Sequence, residues 1–287
     1  MSIAFLKGHG TQNDFVIVPD PDNAIELSPG AVAVLCDRRA GLGADGLLHV
    51  VRSAAHPEAK DMADEAEWFM DYRNGDGSVA EMCGNGVRVF AHYLQQAGHV
   101  EAGDLAVATR GGVKRAHIAK NGDITVSMGK ARLPEEQATV TVGGNSWPAL
   151  NVNMGNPHAV AFVEDLDQAG NLFTPPPFAP AEVYPDGVNV EFVVDRGERH
   201  VAMRVHERGV GETRSCGTGA CAVAVATARR DGLDPAVTGA PVTYTIDLPG
   251  GRLQITERVD GEIEMTGPAV IVAEGEISSD WFETLNA

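Results

Sequence analysis

The chain has 287 residues, enough for roughly two domains, and 44% of them are hydrophobic against 22% charged, the balance of a protein with a full apolar core. Its 40 acidic and 22 basic side chains leave a net charge of −18, which repels phosphate backbones and anionic headgroups and argues against nucleic-acid or membrane partners. The longest apolar run, Ala220 to Ala228, is far shorter than the roughly 20 residues that span a bilayer.

In chain order, short strands are expected at Phe15–Val18, Trp68–Tyr72, Leu105–Thr109, Val113–Ile118 and Ile124–Met128, the last two joined by an Asn121-Gly122-Asp123 hairpin turn. The second half repeats the pattern at Ala159–Val163, Val188–Val194, Val201–His206, Val242–Ile246 and Leu253–Glu257. Phe173–Pro180, with four prolines, is expected to be an irregular surface loop. Pro29–Arg38 reads as a helix with Ser28 as its cap. Gly84–Ala97 reads as a second, with Val87, Phe90, Ala91 and Leu94 on one face and Gly98 as its stop. Gly217–Arg230 is a third, and its lack of a polar face until the end marks a buried central helix. The N-terminus lacks the charged start and apolar stretch of an export signal, so a cytoplasmic location is expected.

The chain echoes itself. Cys83-Gly84-Asn85-Gly86 returns as Cys216-Gly217-Thr218-Gly219 at an offset of 133 residues, and Asn74 meets Glu207 at the same offset. Asn13-Asp14-Phe15 echoes Asn156-Pro157-His158 at an offset of 143, and Asp45-Gly46-Leu47 echoes Asp186-Gly187-Val188 at 141. Ordered matches imply two related halves, which a pseudo-twofold axis would place with Cys83 opposite Cys216, each at the start of its own helix.

Such a pair has an evident use. Inverting a stereocentre requires a base on one face of a carbon and an acid on the other, and two thiols can exchange those roles. A helix N-terminus is expected to lower a thiol from about 8.5 into the range of about 3.5 to 7.5. The glycines that follow each cysteine leave backbone N–H groups bare for a substrate carboxylate, so no pyridoxal cofactor is called for. Cys36 and Cys221 lie inside apolar helices and read as packing residues. Cysteine and histidine spacing shows no metal site, and none is expected. The Gly41–Gly46 segment fits G-x-G-x-x-G, but it follows a helix and precedes a strand, the reverse of a dinucleotide fingerprint.

At these residues the chain resembles the diaminopimelate epimerase family over essentially its whole length. The segments are KGHGTQNDFVIV, DRRAGLGADGLL, NGDGSVAEMCGNGVRVFA, NMGNPHAVAF and ERGVGETRSCGTGACA. The resemblance implies an α/β (α+β) fold of two similar domains, each a strand barrel wrapped around a central helix, with the site in the interdomain cleft. It divides the chain into residues 1–127, with 269–287 crossing back, and residues 128–268. It implies cofactor-free conversion of LL-diaminopimelate to the meso form for lysine and peptidoglycan synthesis, by a homodimer acting on a small molecule. It assigns Cys83 and Cys216 as the catalytic pair and His158 and Glu207 as groups that tune them. The binding set it implies is Asn13, Asn74, Asn156, Asn189, Glu207 and Arg208, with backbone donors at Gly84, Asn85, Gly217 and Thr218. Arg208 suits a carboxylate gripped bidentately, and asparagine amides both donate and accept. Family members often carry glutamine where this chain has Gly46, so that contact is missing or replaced.

Three other readings compete. A proline or hydroxyproline epimerase would resemble C-G-H-G at the first cysteine, where this chain has Asn85. A cysteine hydrolase using His158 would make the second thiol redundant and would trap an acyl-enzyme. A binding protein without activity would be indifferent to Cys216→Ala.

Overall fold

The computed structural model describes residues 2–285, and the chain divides into two compact units. One is formed by residues up to Val126 together with those from Pro268 onward, the other by Ser127–Gly267. Each encloses one helix in antiparallel and parallel strands, so backbone polar groups are paired while most of the helix is buried.

The first unit opens with β1 (Ile3–Gly10) and β2 (Asn13–Pro19), a hairpin whose two turn residues, Thr11 and Gln12, both have positive φ (51° and 64°). That left-handed pair gives the turn the twist a two-residue hairpin needs, at some cost for residues that carry a Cβ. Next come α1 (Pro29–Cys36), β3 (Gly46–Arg52) and β4 (Trp68–Asn74). They are followed by α2 (Gly84–Gln96), β5 (Gly103–Ala108), β6 (Lys114–Ile118) and β7 (Ile124–Lys130). Strand β3 runs parallel to β2 and antiparallel to β4. Helix α2 packs against β1 to β6.

The second unit repeats this plan. It contains β8 (Ala138–Val142), β9 (Asn145–Asn153), β10 (Pro157–Phe162), the two-residue β11 (Phe178–Ala179), β12 (Asn189–Gly197), β13 (His200–Glu207) and β14 (Gly211–Thr213). Then follow α3 (Gly217–Arg230), the short α4 (Pro235–Thr238), β15 (Val242–Leu248), β16 (Gly251–Glu257) and β17 (Glu262–Gly267). Strand β12 is parallel to β10 and antiparallel to β13, as β3 is to β2 and β4. Helix α3 packs against β9, β10, β12, β13, β15, β16 and β17. The chain ends with β18 (Val270–Ile277), which pairs with β1 and also touches α2, and with α5 (Ser279–Leu285), which rests on α1.

The internal repeat is therefore structural, with one adjustment. Phe15 lies opposite Gly46 in the first parallel ladder, and His158 lies opposite Asn189 in the second. Gly46 thus corresponds to Asn189 at the 143-residue offset, not to Gly187. The Asp186-Gly187 echo is two residues out of register because extra loop residues, with Gly187 at φ 81°, precede β12.

Boundaries shift elsewhere for local reasons. Helix α1 stops at Cys36, since Asp37 turns extended and its carboxylate accepts the Arg39 and Ala40 amides. The proline-rich loop is not wholly irregular, because Phe178 and Ala179 pair with Val140 and Thr139. No helix among the described residues is long and apolar enough to cross a membrane.

Candidate active site

In the first unit, side chains gather at the head of α2. Cys83 immediately precedes the helix in extended backbone (φ −137°, ψ 117°), and its sulfur accepts the Gly86 amide at 3.4 Å. A thiol thus occupies the cap position that serine or aspartate usually fills. The Cys83 thiol donates to Asn13 Oδ1 at 3.6 Å, and Asn85 Nδ2 donates to the same oxygen at 3.2 Å. The other end of the Asn13 amide donates to Asp45 Oδ2 at 2.8 Å. A carboxylate can only accept, so Asp45 fixes which end of the amide faces Cys83.

Asp45 is itself held. The Arg38 guanidinium bridges it at 2.8 Å and Asp14 at 2.7 Å. Burial raises the Asp14 carboxyl, but hydrogen bonds from Arg38 and Lys7 outweigh it and hold the group well below the usual carboxylate range. Asn74 lies at the end of β4 opposite Gly46 and donates to Ser78 Oγ at 3.0 Å. The place of the glutamine expected at Gly46 is taken. An ideal Cβ there would stand 2.6 Å from Arg73 O and 2.8 Å from Tyr72 Cε2, so the Tyr72 ring covers the space.

Behind this cluster lies a residue that sequence reasoning missed. Arg88 is fully buried within α2 and donates to Asn85 Oδ1 (2.6 Å), Thr11 Oγ1 (3.1 Å) and Pro268 O (2.5 Å). It ties the head of the helix to the β1–β2 turn and to the returning chain. The only signal was a charge between two valines near the start of the helix.

The second unit builds the same cap. Cys216 (φ −110°, ψ 112°) precedes α3, accepts the Gly219 amide at 3.3 Å, and lies 3.6 Å from Thr218 Oγ1. Asn156 Nδ2 donates to Thr218 Oγ1 at 3.3 Å, and its Oδ1 is 3.0 Å from His158 Nε2. His158 Nδ1 meets Glu191 Oε1 at 2.6 Å, with both side chains fully buried. Asn189 donates to Pro157 O (3.1 Å) and accepts the Arg208 amide (2.9 Å), which locks the end of β12 to β10 and β13. The Arg208 guanidinium is exposed and rests on Asp186 O at 3.2 Å. Glu207 accepts hydrogen bonds from Thr213 and from the Cys216 thiol.

The electrostatics correct one expectation. Burial pushes the Cys216 thiol well above its ordinary range, and the Glu207 and Glu191 carboxylates push it further. The Thr218 hydroxyl and the Gly219 amide act the other way and do not prevail. The helix head is real, but two carboxylates and desolvation outweigh its partial charge. Burial likewise raises Glu207, against the hydrogen bonds from Thr213 and Cys216. Burial and the neighbouring carboxylates thus favour the protonated form of the Cys216 thiol.

Each unit thus offers a thiol capping a buried helix, first-turn amides without an intrahelical acceptor, and asparagines beside them. That set can bind a carboxylate and move a proton at the carbon next to it. The family profile described as "Diaminopimelate epimerase" matches residues 5–134 and 150–272. A diaminopimelate epimerase of Streptomyces coelicolor is 81% identical over 98% of this chain and 97% of its own length. One from Mycolicibacterium smegmatis is 45% identical over 98% of this chain and 99% of its own. Among solved structures, a phenazine biosynthesis protein of the PhzF family from Bacillus anthracis superposes with a TM-score of 0.74. It covers 97% of this chain and 99% of its own at 17% identity, a likeness of fold alone. With the family profile spanning both halves and both capped cysteines inside it, the chain belongs to the diaminopimelate epimerase family.

Proposed function

We propose that this chain is a cofactor-independent isomerase that interconverts LL- and meso-diaminopimelate, one thiol from each unit serving as base or acid. The observation that carries the reading is the twice-built cap: Cys83 and Cys216 each accept the amide three residues on, at the head of a buried helix. The first-turn amides at Gly84, Asn85, Gly217 and Thr218 receive the α-carboxylate, and they hold the charge that spreads onto it as the α-proton leaves. Asn13, Asn74, Asn156, Asn189, Glu207 and Arg208 orient the rest of the substrate, Arg208 by gripping the distant carboxylate.

Cys216 rests as the protonated thiol, in keeping with its burial and its two neighbouring carboxylates. It donates the proton in one direction of the reaction, and Cys83 donates it in the other. Glu207 takes up and returns the Cys216 proton, while His158 holds Asn156 in place. We further propose a homodimer, as the family resemblance implies, working in the cytoplasm; light scattering that finds single chains would exclude the dimer. The substrate is tested by incubating the reduced protein separately with LL-diaminopimelate, proline and 4-hydroxyproline and resolving the stereoisomers. Turnover of diaminopimelate alone supports the reading, and turnover of the cyclic amino acids alone overturns it.

A further inference from the structure

Strand β12 carries a charged residue in the middle of an apolar run. Glu191 stands between Val190 and Phe192 and is fully buried. Val190 and Phe192 belong to the apolar cluster with Ala159, Ala161 and Tyr184, so alternation along the strand turns Glu191 to the other side, toward α3. There its Oε1 meets His158 Nδ1 at 2.6 Å, while its Oε2 is buried without a hydrogen-bond partner among the described residues. An ideal Cβ on Gly219 would lie 2.9 Å from Glu191 Oε1 and 3.2 Å from Cys216 Sγ. The carboxylate and the thiol are therefore no more than about 6 Å apart, given those two contacts. A buried, half-satisfied carboxylate is costly to keep, and no packing requirement explains one here.

Resting on the reading of Cys216 as a reacting thiol, we propose that Glu191 is a positioning residue that holds His158 by Nδ1 and keeps the proton on Cys216. Two roles meet in one side chain. The hydrogen bond fixes the imidazole ring beside Asn156, and the Asn156 amide in turn contacts Thr218. The negative charge disfavours a thiolate at Cys216, so this thiol enters the reaction as the proton bearer. The charged or titratable groups of this unit that feel the Glu191 charge are His158 on β10, Glu207 on β13 and Cys216 at α3, with the buried Tyr184 phenol affected from the other side of the strand. At an effective dielectric of about 20 and about 6 Å, two like charges discriminate by about a hundredfold.

The test compares Glu191→Gln, which removes the charge and keeps an acceptor for His158, with Glu191→Asp, which keeps the charge. Methyl methanethiosulfonate modification of Cys216 and Cys83 is followed in the same sample by mass spectrometry, with Cys83 as the internal control for folding. In Glu191→Gln, modification of Cys216 relative to Cys83 should rise by about ten- to a hundredfold. The rate in the direction that uses Cys216 as donor should begin to fall at a lower pH, with KM within about threefold. Glu191→Asp should stay close to the parent in the reactivity ratio. A ratio and pH profile within twofold of the parent for Glu191→Gln would overturn the proposal, as would identical behaviour of the two variants. Should Glu191→Gln not fold, the unaltered protein still decides: Cys216 reacting as fast as Cys83 at neutral pH is incompatible with it. Absence of epimerase activity in the parent would instead defeat the substrate reading and leave the thiol ratio informative.

Discussion

Gly86 and Gly219 occupy the same place in the two cysteine motifs, three residues into the cap, yet an added methyl group meets different surroundings. At Gly219 an ideal Cβ would stand 2.9 Å from Glu191 Oε1 and 3.2 Å from both Cβ and Sγ of Cys216. All three atoms belong to side chains that packing and hydrogen bonds hold in place. At Gly86 the nearest atoms are Leu48 Cδ2 at 3.3 Å and Cys83 Cβ at 3.4 Å, contacts that a small rotation of a leucine relieves. Alanine favours a helix over glycine by about 1 kcal/mol, and overpacking a tight core costs about 1–3 kcal/mol. Gly86→Ala should therefore leave stability nearly unchanged. Gly219→Ala should lose about 1 kcal/mol, a fall of about 2–4 °C in Tm. The larger effect is on rate: the Cys216 sulfur must give by a few tenths of an ångström, and since a misplacement of about 1 Å costs about a hundredfold, kcat should fall about tenfold. Thermal unfolding and epimerisation assays on the two variants read both quantities. Full activity in Gly219→Ala, or a greater loss in Gly86→Ala, would refute the reasoning.

Other outcomes follow from the same geometry. Arg88→Ala should cost about 2–4 kcal/mol in urea unfolding, since it removes a donor from two buried acceptors, Thr11 and Asn85, and from the Pro268 carbonyl. Asp45→Asn should lower kcat about tenfold by letting the Asn13 amide turn over, while Asp45→Glu retains most activity; equal kcat in parent and Asp45→Asn would contradict this. Burial raises the Asp71 carboxyl, but hydrogen bonds from His49 and Arg73 and the charges of Arg73 and Arg110 win and hold it far below its usual range. Its folded state binds the proton less readily than the unfolded chain, so it stabilises the fold above about pH 4 and loses that contribution as pH falls further. Asp71→Asn should thus be about 3 kcal/mol less stable at neutral pH and approach the parent in acid, as unfolding across pH would reveal.

Much of this was legible in the chain, and the exceptions share a cause. The two cysteine motifs, the stop at Gly98 and the Asn121–Asp123 turn depend on local chemistry, which residue order carries directly. Arg88 was hidden because the i, i+3, i+4 stripe of Val87, Phe90, Ala91 and Leu94 implies a solvent face opposite, whereas the first turns of α2 are buried all round and that face opens only at His92, Gln95 and Gln96. Glu191 was hidden because a strand covered on both faces has no polar side to mark it as unusual. The raised Cys216 thiol could not be anticipated from its helix, since its cause lies in β12 and β13, far away in sequence. The Asp186 echo misled for a related reason: sequence similarity followed the loop, while hydrogen bonding put Asn189 in register with Gly46. Strand β1 was overlooked because its glycines read as motif residues, although Gly8 is tightly packed against Ile271 and Val89.

In the proposed mechanism two thiols exchange the α-proton of diaminopimelate with solvent from opposite faces. Incubating the reduced, pyridoxal-free protein with LL-diaminopimelate in D₂O, and following both stereochemistry and isotope content, tests this. Meso product should carry one solvent deuterium at the inverted carbon, and no such product should come from Cys83→Ala or Cys216→Ala. Meso product that retains the original hydrogen, or unimpaired turnover by either cysteine variant, would contradict it.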